Sequence, residues 1–122
     1  MASGWVVTAR ERLLGFRREP AGWGYQSGAA PCVEPTALAC LGLLASDPNR
    51  SHALAMVRSS ADWLASVQNP DGSLGVSATL TTPGWATPYA IWLWAAVEWR
   101  AGQCPQLPFG QVPLRGVRDR SE

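Results

Sequence analysis

The stretch PYAIWLWAAVEW, residues 88–99, decides the fold predicted for this chain. It is apolar on nearly every side of a helix, with Glu98 as its one charge, and TALACLGLLA, residues 36–45, has the same character. A helix that is hydrophobic all round is buried on every side. The sequence therefore predicts an all-α fold in which these two helices form an inner layer.

An amphipathic stretch precedes each apolar one. Residues 5–18 and 52–68 alternate apolar and polar positions with the period of an α-helix, and their polar faces contain Arg10, Glu11, Arg17 and Arg18 in the first and Arg58, Ser59, Asp62 and Ser66 in the second. We therefore expect two outer helices that cover the inner pair with one face. The predicted dry faces comprise Val6, Ala9, Leu13 and Phe16 in the first outer helix, and Ala53, Met56, Val57, Leu64 and Val67 in the second.

The two halves of the chain are related by an internal repeat. A shift of 51 residues places Val6 on Val57 and Leu13 on Leu64, and beyond a two-residue insertion a shift of 53 places Pro35 on Pro88. We predict tandem α-hairpin repeats at 5–49 and 51–101, which together form one domain of residues 1–101. Residues 102–122, which are rich in proline and lack periodicity, are predicted to be an irregular tail.

The two prolines also predict where the inner helices begin. Proline is favoured at the first helical position, because its missing N–H has no partner there. Pro35 and Pro88 are therefore expected to open the inner helices, with Glu34 and Thr87 as the N-cap residues.

Composition excludes several classes of protein. The 122 residues are 47% hydrophobic and 16% charged, which suits one buried core. The formal net charge of +1 provides no basic stripe, so nucleic acid is not an expected partner. No apolar run is long enough to span a membrane. Three cysteines at irregular spacings predict free thiols and a cytoplasmic location, with neither a metal nor a cofactor.

Two segments carry a family resemblance. Trp63-Leu64 and Gln68-Asn69-Pro70-Asp71-Gly72-Ser73-Leu74-Gly75 resemble the QW-type repeat, Q-x-x-x-G-x-W, of the terpene cyclase and prenyltransferase superfamily. Gly22-Trp23-Gly24-Tyr25, which leads into Val33-Glu34-Pro35-Thr36-Ala37-Leu38-Ala39, resembles bacterial prenyltransferase and squalene-oxidase repeat proteins. The chain departs from the QW pattern at Leu74, where the pattern has tryptophan, and at Arg17, where it has glutamine.

The resemblance covers roughly residues 5–100 and implies part of an α/α toroid, a ring of helical hairpins in two layers. In that family, loops and inner-helix N-termini line a central cavity for isoprenoid substrates. Two hairpins make about a third of such a ring, so the open edge predicts self-association of this chain, or packing against neighbouring repeats.

The sequence lacks the catalytic sets of that superfamily. The D-x-D-D acid cluster is absent, and a single histidine, His52, leaves no zinc set. Two isolated candidates for catalysis remain, Glu34 and Cys32, both beside the N-terminus of an inner helix. The partial positive charge there favours the Cys32 thiolate. Cys32-Val33-Glu34-Pro35 has proline where related thioester proteins have the glutamine that acylates the cysteine.

Aromatic residues provide the candidate binding site. Four of them cluster at the two junctions between loop and inner helix, and are expected either to form the wall of an apolar ligand site or to pack in the core. They are Trp23, Tyr25, Trp85 and Tyr89.

Three functions remain open at this point. The first is a prenyltransferase or squalene cyclase-like repeat protein that provides an apolar, isoprenoid-binding surface without its own acid cluster. The second is a fragment of a terpene cyclase that is active only in a larger assembly. The third is a protein-interaction scaffold.

Overall fold

The computed structural model describes residues 4–18, 22–47 and 50–100, except for the side chains of residues 50–52 and 100. These ranges contain four helices and two isolated β-bridges but no strand, so the predicted all-α class is confirmed. The helices are α1 (Gly4–Gly15), α2 (Val33–Ser46), α3 (Arg50–Ser66) and α4 (Thr87–Arg100). The predicted tail, residues 102–122, lies outside the described residues.

Helix α2 lies at the centre of the packing. It contacts all three other helices, α3 also contacts α4, and α1 contacts α2 alone among the helices. Because α2 is surrounded in this way, seven of its fourteen residues are buried. The largest completely buried apolar side chains are Val33 of α2, Val57 and Leu64 of α3, Leu93 of α4, and Leu74 of the second loop.

The two outer helices differ in how far they are covered. In α3 the predicted dry face is confirmed, since Ala53, Val57 and Leu64 are buried while Arg58 and Asp62 are exposed. In α1 no residue is buried, although a dry face was predicted there too. The reason is that α1 packs against one helix only, so its apolar stripe is covered on one side.

The prediction that both inner helices are buried all round is wrong, to a small extent for α2, where Leu38 is 43% exposed, and to a large extent for α4. Its residues Ala90 and Leu93 are fully buried, but Ile91, Trp92 and Trp99 expose 57%, 61% and 62% of their surface. Helix α4 contacts α2 and α3 only, and no further described helix covers its other face. The apolar composition of α4 therefore leaves a large exposed apolar surface.

A threonine hydroxyl closes each half of the chain in the same way. The backbone N–H of Trp23 donates to Thr36 Oγ1 at 3.0 Å, and that hydroxyl donates to the Trp23 carbonyl oxygen at 3.1 Å. In the second half the N–H of Leu74 donates to Thr87 Oγ1 at 3.0 Å, and the hydroxyl lies 3.3 Å from the Leu74 carbonyl oxygen. We call the pairs Thr36–Trp23 and Thr87–Leu74 the threonine clasps. Thr87 lies 51 residues after Thr36, and Leu74 lies 51 residues after Trp23.

The start of α2 joins the two halves. The backbone N–H of Val33 donates to the Val76 carbonyl oxygen at 2.8 Å, and Cys32 forms a bridge with Ser77. Because the first N–H groups of a helix have no partner within the helix, this bond supplies one from the loop of the other half. The second loop is therefore fastened to the first helix of the inner layer.

The predicted helix starts need correction for α2. Cys32, not Glu34, is the N-cap residue, and Pro35 is the third residue of the helix. Proline is tolerated here because N–H groups throughout the first turn lack an intrahelical acceptor. Helix α4 begins at Thr87, as expected within one residue.

One glycine in each loop, Gly24 in the first and Gly75 in the second, allows the backbone to fold back on itself, and substitution of Gly75 tests this role. A Cβ atom at Gly24 would lie 2.5 Å from the Ala30 carbonyl oxygen, and one at Gly75 would overlap the backbone of Leu80 and Thr81. We expect Gly75→Ala to lower the free energy of unfolding by about 1–3 kcal/mol. Gly42→Ala is the matched control, because a Cβ there meets nothing within 4 Å and a helical alanine gains about 0.5–1 kcal/mol.

Urea denaturation followed by far-UV circular dichroism measures both variants. Equal effects of the two substitutions would contradict the close approach at Gly75.

Candidate functional site

A cavity of about 430 Å³ lies where the first loop meets α1 and α2. It is shaped by the C-terminal end of α1, the Gly24–Ser27 segment and the first turns of α2. No charged side chain lines it, and its apolar wall comprises Leu13, Phe16, Trp23, Tyr25, Pro35 and Leu38. Two of the four predicted ligand residues, Trp23 and Tyr25, therefore share one cavity, which we call the Tyr25 cavity.

Trp23 belongs as much to the core as to this cavity. It is 3% exposed, and its indole Nε1–H donates to the Leu13 carbonyl oxygen at 2.7 Å. The same carbonyl oxygen accepts the Phe16 N–H at 3.1 Å, so the indole adds a second hydrogen bond at the end of α1. Trp23 thus fixes the end of α1 against the loop and presents only a small part of its ring to the cavity.

Tyr25 is the exposed aromatic residue of the cavity. Its hydroxyl donates to Glu34 Oε1 at 2.8 Å, so that the residue connects the loop to the first turn of α2. Partial desolvation of the hydroxyl and, after it, the hydrogen bond and the negative charge of Glu34 raise the pKa of Tyr25 to about 12. Tyr25 is therefore a neutral hydrogen-bonding group at the cavity, and Glu34 holds it there.

The environment of Cys32 opposes its candidacy as a reactive thiol. Its Sγ lies 3.7 Å from the Ala30 carbonyl oxygen, and desolvation raises the pKa of the Cys32 thiol. The sequence predicted the opposite direction, because the positive end of α2 favours a thiolate, and desolvation outweighs that effect here. Cys40 is completely buried in the core, and burial raises its pKa to about 11.

The other two predicted ligand residues lie at the second junction and not in the Tyr25 cavity. Trp85 and Tyr89 form an edge-to-face pair with ring centroids 5.9 Å apart. Trp85 is 72% exposed, whereas Tyr89 packs partly against the core. The structure therefore arranges the four aromatic residues as two separate pairs.

Sequence reasoning missed several residues of this cavity. Phe16 and Leu13 were assigned to a dry helix face, and Leu38 to a fully buried helix. Leu38 is instead 43% exposed and lines the cavity beside Pro35. The positions of Leu13 and Phe16 in the sequence give no signal that they line the cavity. Their approach to the aromatic residues depends on how the loop folds back around Gly24.

The described residues offer few other chemical groups. They contain no cluster of three histidine, cysteine, aspartate or glutamate side chains arranged to hold a metal ion. Asp71 closes a turn, where its carboxylate accepts the Ser73 N–H at 2.9 Å and the Ser73 hydroxyl at 2.7 Å, and these bonds lower its pKa. Within the described ranges no helix is both long and apolar enough to cross a bilayer.

Comparison of the chain with models of protein families, with curated proteins and with solved structures gave no match. The fold and the site define the chain as an all-helical protein with a small uncharged cavity beside the first inner helix. The relation to the terpene cyclase and prenyltransferase superfamily stays a prediction from the motifs quoted above.

The contrast between Trp23 and Trp85 gives a prediction. Trp23→Ala removes a buried ring and a hydrogen bond, and should lower the free energy of unfolding by about 3–5 kcal/mol. Trp85→Ala, the matched control, removes an exposed ring and should cost less than about 1 kcal/mol. Urea denaturation of both variants measures the difference, and similar losses would contradict the burial of Trp23.

The Tyr25–Glu34 bond gives a second prediction. In a Tyr89→Phe background Tyr25 is the only tyrosine, so the ultraviolet absorbance of tyrosinate reports its titration alone. We expect a midpoint near 12, and Glu34→Gln should move it toward 10.0 without reaching it, because the desolvation stays. Circular dichroism at each pH verifies the fold, and an unchanged midpoint in the variant would contradict the role of Glu34.

Proposed function

We propose that this chain is a helical-repeat protein that binds a short isoprenoid-type molecule in the Tyr25 cavity without transforming it. One observation carries the proposal: the side chains that line the cavity are mainly apolar and aromatic, with Gln26 and Ser27 as the polar exceptions, and none of them is charged. A branched hydrocarbon chain gains free energy from transfer into such a site, whereas a charged ligand loses hydration there. The resemblance to isoprenoid-handling proteins supports the same ligand class.

The size of the cavity supports a small ligand. Small-molecule sites span about 300–1,000 Å³, and the Tyr25 cavity, at about 430 Å³, lies in the lower part of that range. This volume suits a short isoprenoid chain better than a triterpene. The Tyr25 hydroxyl and the side chains of Gln26 and Ser27 give the cavity a polar side, which matches an isoprenoid alcohol that has one hydroxyl group.

Binding without reaction is favoured by the state of the two candidate catalytic residues. A raised pKa leaves less of the Cys32 thiol as thiolate, which is the nucleophilic form. One carboxylate oxygen of Glu34 already accepts the Tyr25 hydroxyl proton. Neither group combines the activation and the positioning that covalent or acid–base catalysis needs.

A cytoplasmic location forms part of the proposal. Cys32 and Cys40 are both free thiols in the described structure. Free thiols persist in reducing compartments, and the cytoplasm is the most common of these.

Titration with farnesol, a short isoprenoid alcohol, tests the proposal. Trp23 lines the cavity, so its emission should change on binding while native mass spectrometry reports a complex of protein and ligand. Leu38→Gln introduces an amide into the cavity wall and should weaken binding about tenfold, which corresponds to about 1.4 kcal/mol. Leu80→Gln is the matched control, because Leu80 is 62% exposed and outside the cavity.

Three outcomes would contradict the proposal. They are no saturable emission change, equal weakening by Leu38→Gln and Leu80→Gln, and conversion of the alcohol into a product. The last outcome would favour the cyclase-like enzyme instead.

A further inference from the structure

Two cavities in different parts of the molecule are lined by equivalent residues of the two repeats, which lie 51 positions apart in the sequence. A cavity of about 190 Å³ between α1, α2 and α3, here called the covered cavity, is lined in part by Arg10, Leu14, Leu43 and Asp47. A cavity of about 580 Å³ between α3 and α4, here called the open groove, is lined in part by residues at the same spacing. These are Ala61, Ala65, Trp94 and Glu98.

The two sites differ in what covers them. The covered cavity is completed by Ala53 and Met56 of α3, the first helix of the following repeat. The open groove has no such helix among the described residues. The residues at the same spacing, Cys104 and Leu107, lie outside the described residues, in a stretch that contains Pro105 and Pro108.

The chain nevertheless contains the matching cover at its other end. Moving back by 51 residues from Met56 leads to Trp5 of α1, which is 79% exposed at the rim of a shallow apolar site between α1 and α2. We propose that Trp5 of a second copy of this chain inserts into the open groove, so that α1 of one copy continues the helical stack of the other. The occupant of the groove is thus a second copy, which takes the place that α3 has within the chain.

The chemistry of the groove suits this occupant. A tryptophan is larger than Met56, which lines the covered cavity from α3, and the groove is correspondingly larger. The groove has the small residues Ala61 and Ala65 in the places of Arg10 and Leu14. Its rim carries the polar side chains of Arg58, Asp62 and Gln68, and an arginine at the rim can stack on an inserted indole ring.

An acidic side chain at the groove can accept hydrogen bonds from the N-terminal turn of a helix. In the covered cavity Asp47 accepts the backbone N–H of Ala53 at 2.9 Å, which gives the N-terminal turn of α3 a partner. Glu98 brings a carboxylate to the corresponding position in the open groove. Helix α1 begins at Gly4, beside Trp5, so insertion of Trp5 brings the positive end of α1 toward Glu98.

The exposed face of α4 extends the contact beyond the groove. Successive residues of a helix are 100° apart around its axis. Around α4, the groove residues Trp94 and Glu98 are therefore followed by Ile91 and Ala95, and these by the exposed rings of Trp99 and Trp92. Trp5 of one copy and Trp92 and Trp99 of the other together offer on the order of 500 Å², about a third of the roughly 1,600 Å² that a standard interface buries in total. A contact of this size suits weak, concentration-dependent association.

The proposed contact is heterologous, because the surface around Trp5 and the open groove are different patches. Each copy in such an assembly keeps one unused patch, which allows further copies to add. Two variants that each block a different patch should therefore fail to associate alone and associate with one another. A contact that pairs identical patches would not show this complementation.

Sedimentation velocity without added ligand tests the proposal. The wild-type chain at about 100 μM should sediment faster than at 1 μM. Trp5→Ala removes the inserted ring, and Ala65→Arg fills the groove from an exposed position of α3. Each variant should sediment as one chain at 100 μM, and their equimolar mixture should give a mass of two chains. Trp85→Ala, which removes an equally exposed ring elsewhere, should associate as the wild type does.

Several results would overturn the proposal. One is a wild-type mass of one chain at 100 μM. If the wild type is monomeric and Ala65→Arg lowers the midpoint of thermal unfolding, the result favours occupation of the groove by the chain's own C-terminal residues. Another is unchanged association of Trp5→Ala. A third is a mixture of the two variants that stays monomeric. Circular dichroism spectra equal to that of the wild type verify that both variants are folded, and the outcome is independent of farnesol binding.

Discussion

One threonine hydroxyl in each half of the chain determines how the loop meets the inner helix. Thr36 is completely buried, and its hydroxyl both accepts from and donates to the backbone of Trp23. Without Thr36 the Trp23 N–H would be buried without an acceptor, at a cost of about 1–3 kcal/mol, whereas the Trp23 carbonyl oxygen also accepts the Cys32 N–H at 2.8 Å. The clasp therefore holds the Trp23 ring under α1 and leaves Tyr25 beside the cavity. In the second half the Thr87 hydroxyl accepts the N–H of the buried Leu74 and donates at 3.0 Å to the Gly84 carbonyl oxygen, while the Leu74 carbonyl oxygen lies 3.3 Å away.

The sequence predicts the helical class and the outer helix α3 well, because both follow from local periodicity. The buried positions Ala53, Val57 and Leu64 are those that the 3.6-residue pattern indicates. The sequence pattern overstates the burial of α4, since a helix rich in apolar residues is enclosed only if neighbouring helices are present. The start of α2 was also misplaced, because the hydrogen bond from Val33 to Val76 connects residues far apart in the chain and leaves no local signal.

The candidate site is predictable in its residue types but not in its arrangement. Aromatic residues beside glycine correctly indicated the two junctions, and the Trp85–Tyr89 contact between neighbouring turns follows from their spacing of four. The separation of these residues from Trp23 and Tyr25 depends on loop geometry instead. Gly24 and Gly75 permit backbone approaches that no other residue allows, and these approaches decide which side chains share a cavity.

The marginal attachment of α1 has a consequence for the dynamics of the protein. Helix α1 has no buried residue, and the hydrogen bonds that tie it to the rest include Trp23 Nε1 to Leu13 and Arg10 to the Ser46 carbonyl oxygen. Of the four described helices we expect α1 to be the least protected, so that its amide protons exchange with solvent through an opening that leaves α2, α3 and α4 intact. Amide protection should then rise in steps from the first helix toward α2.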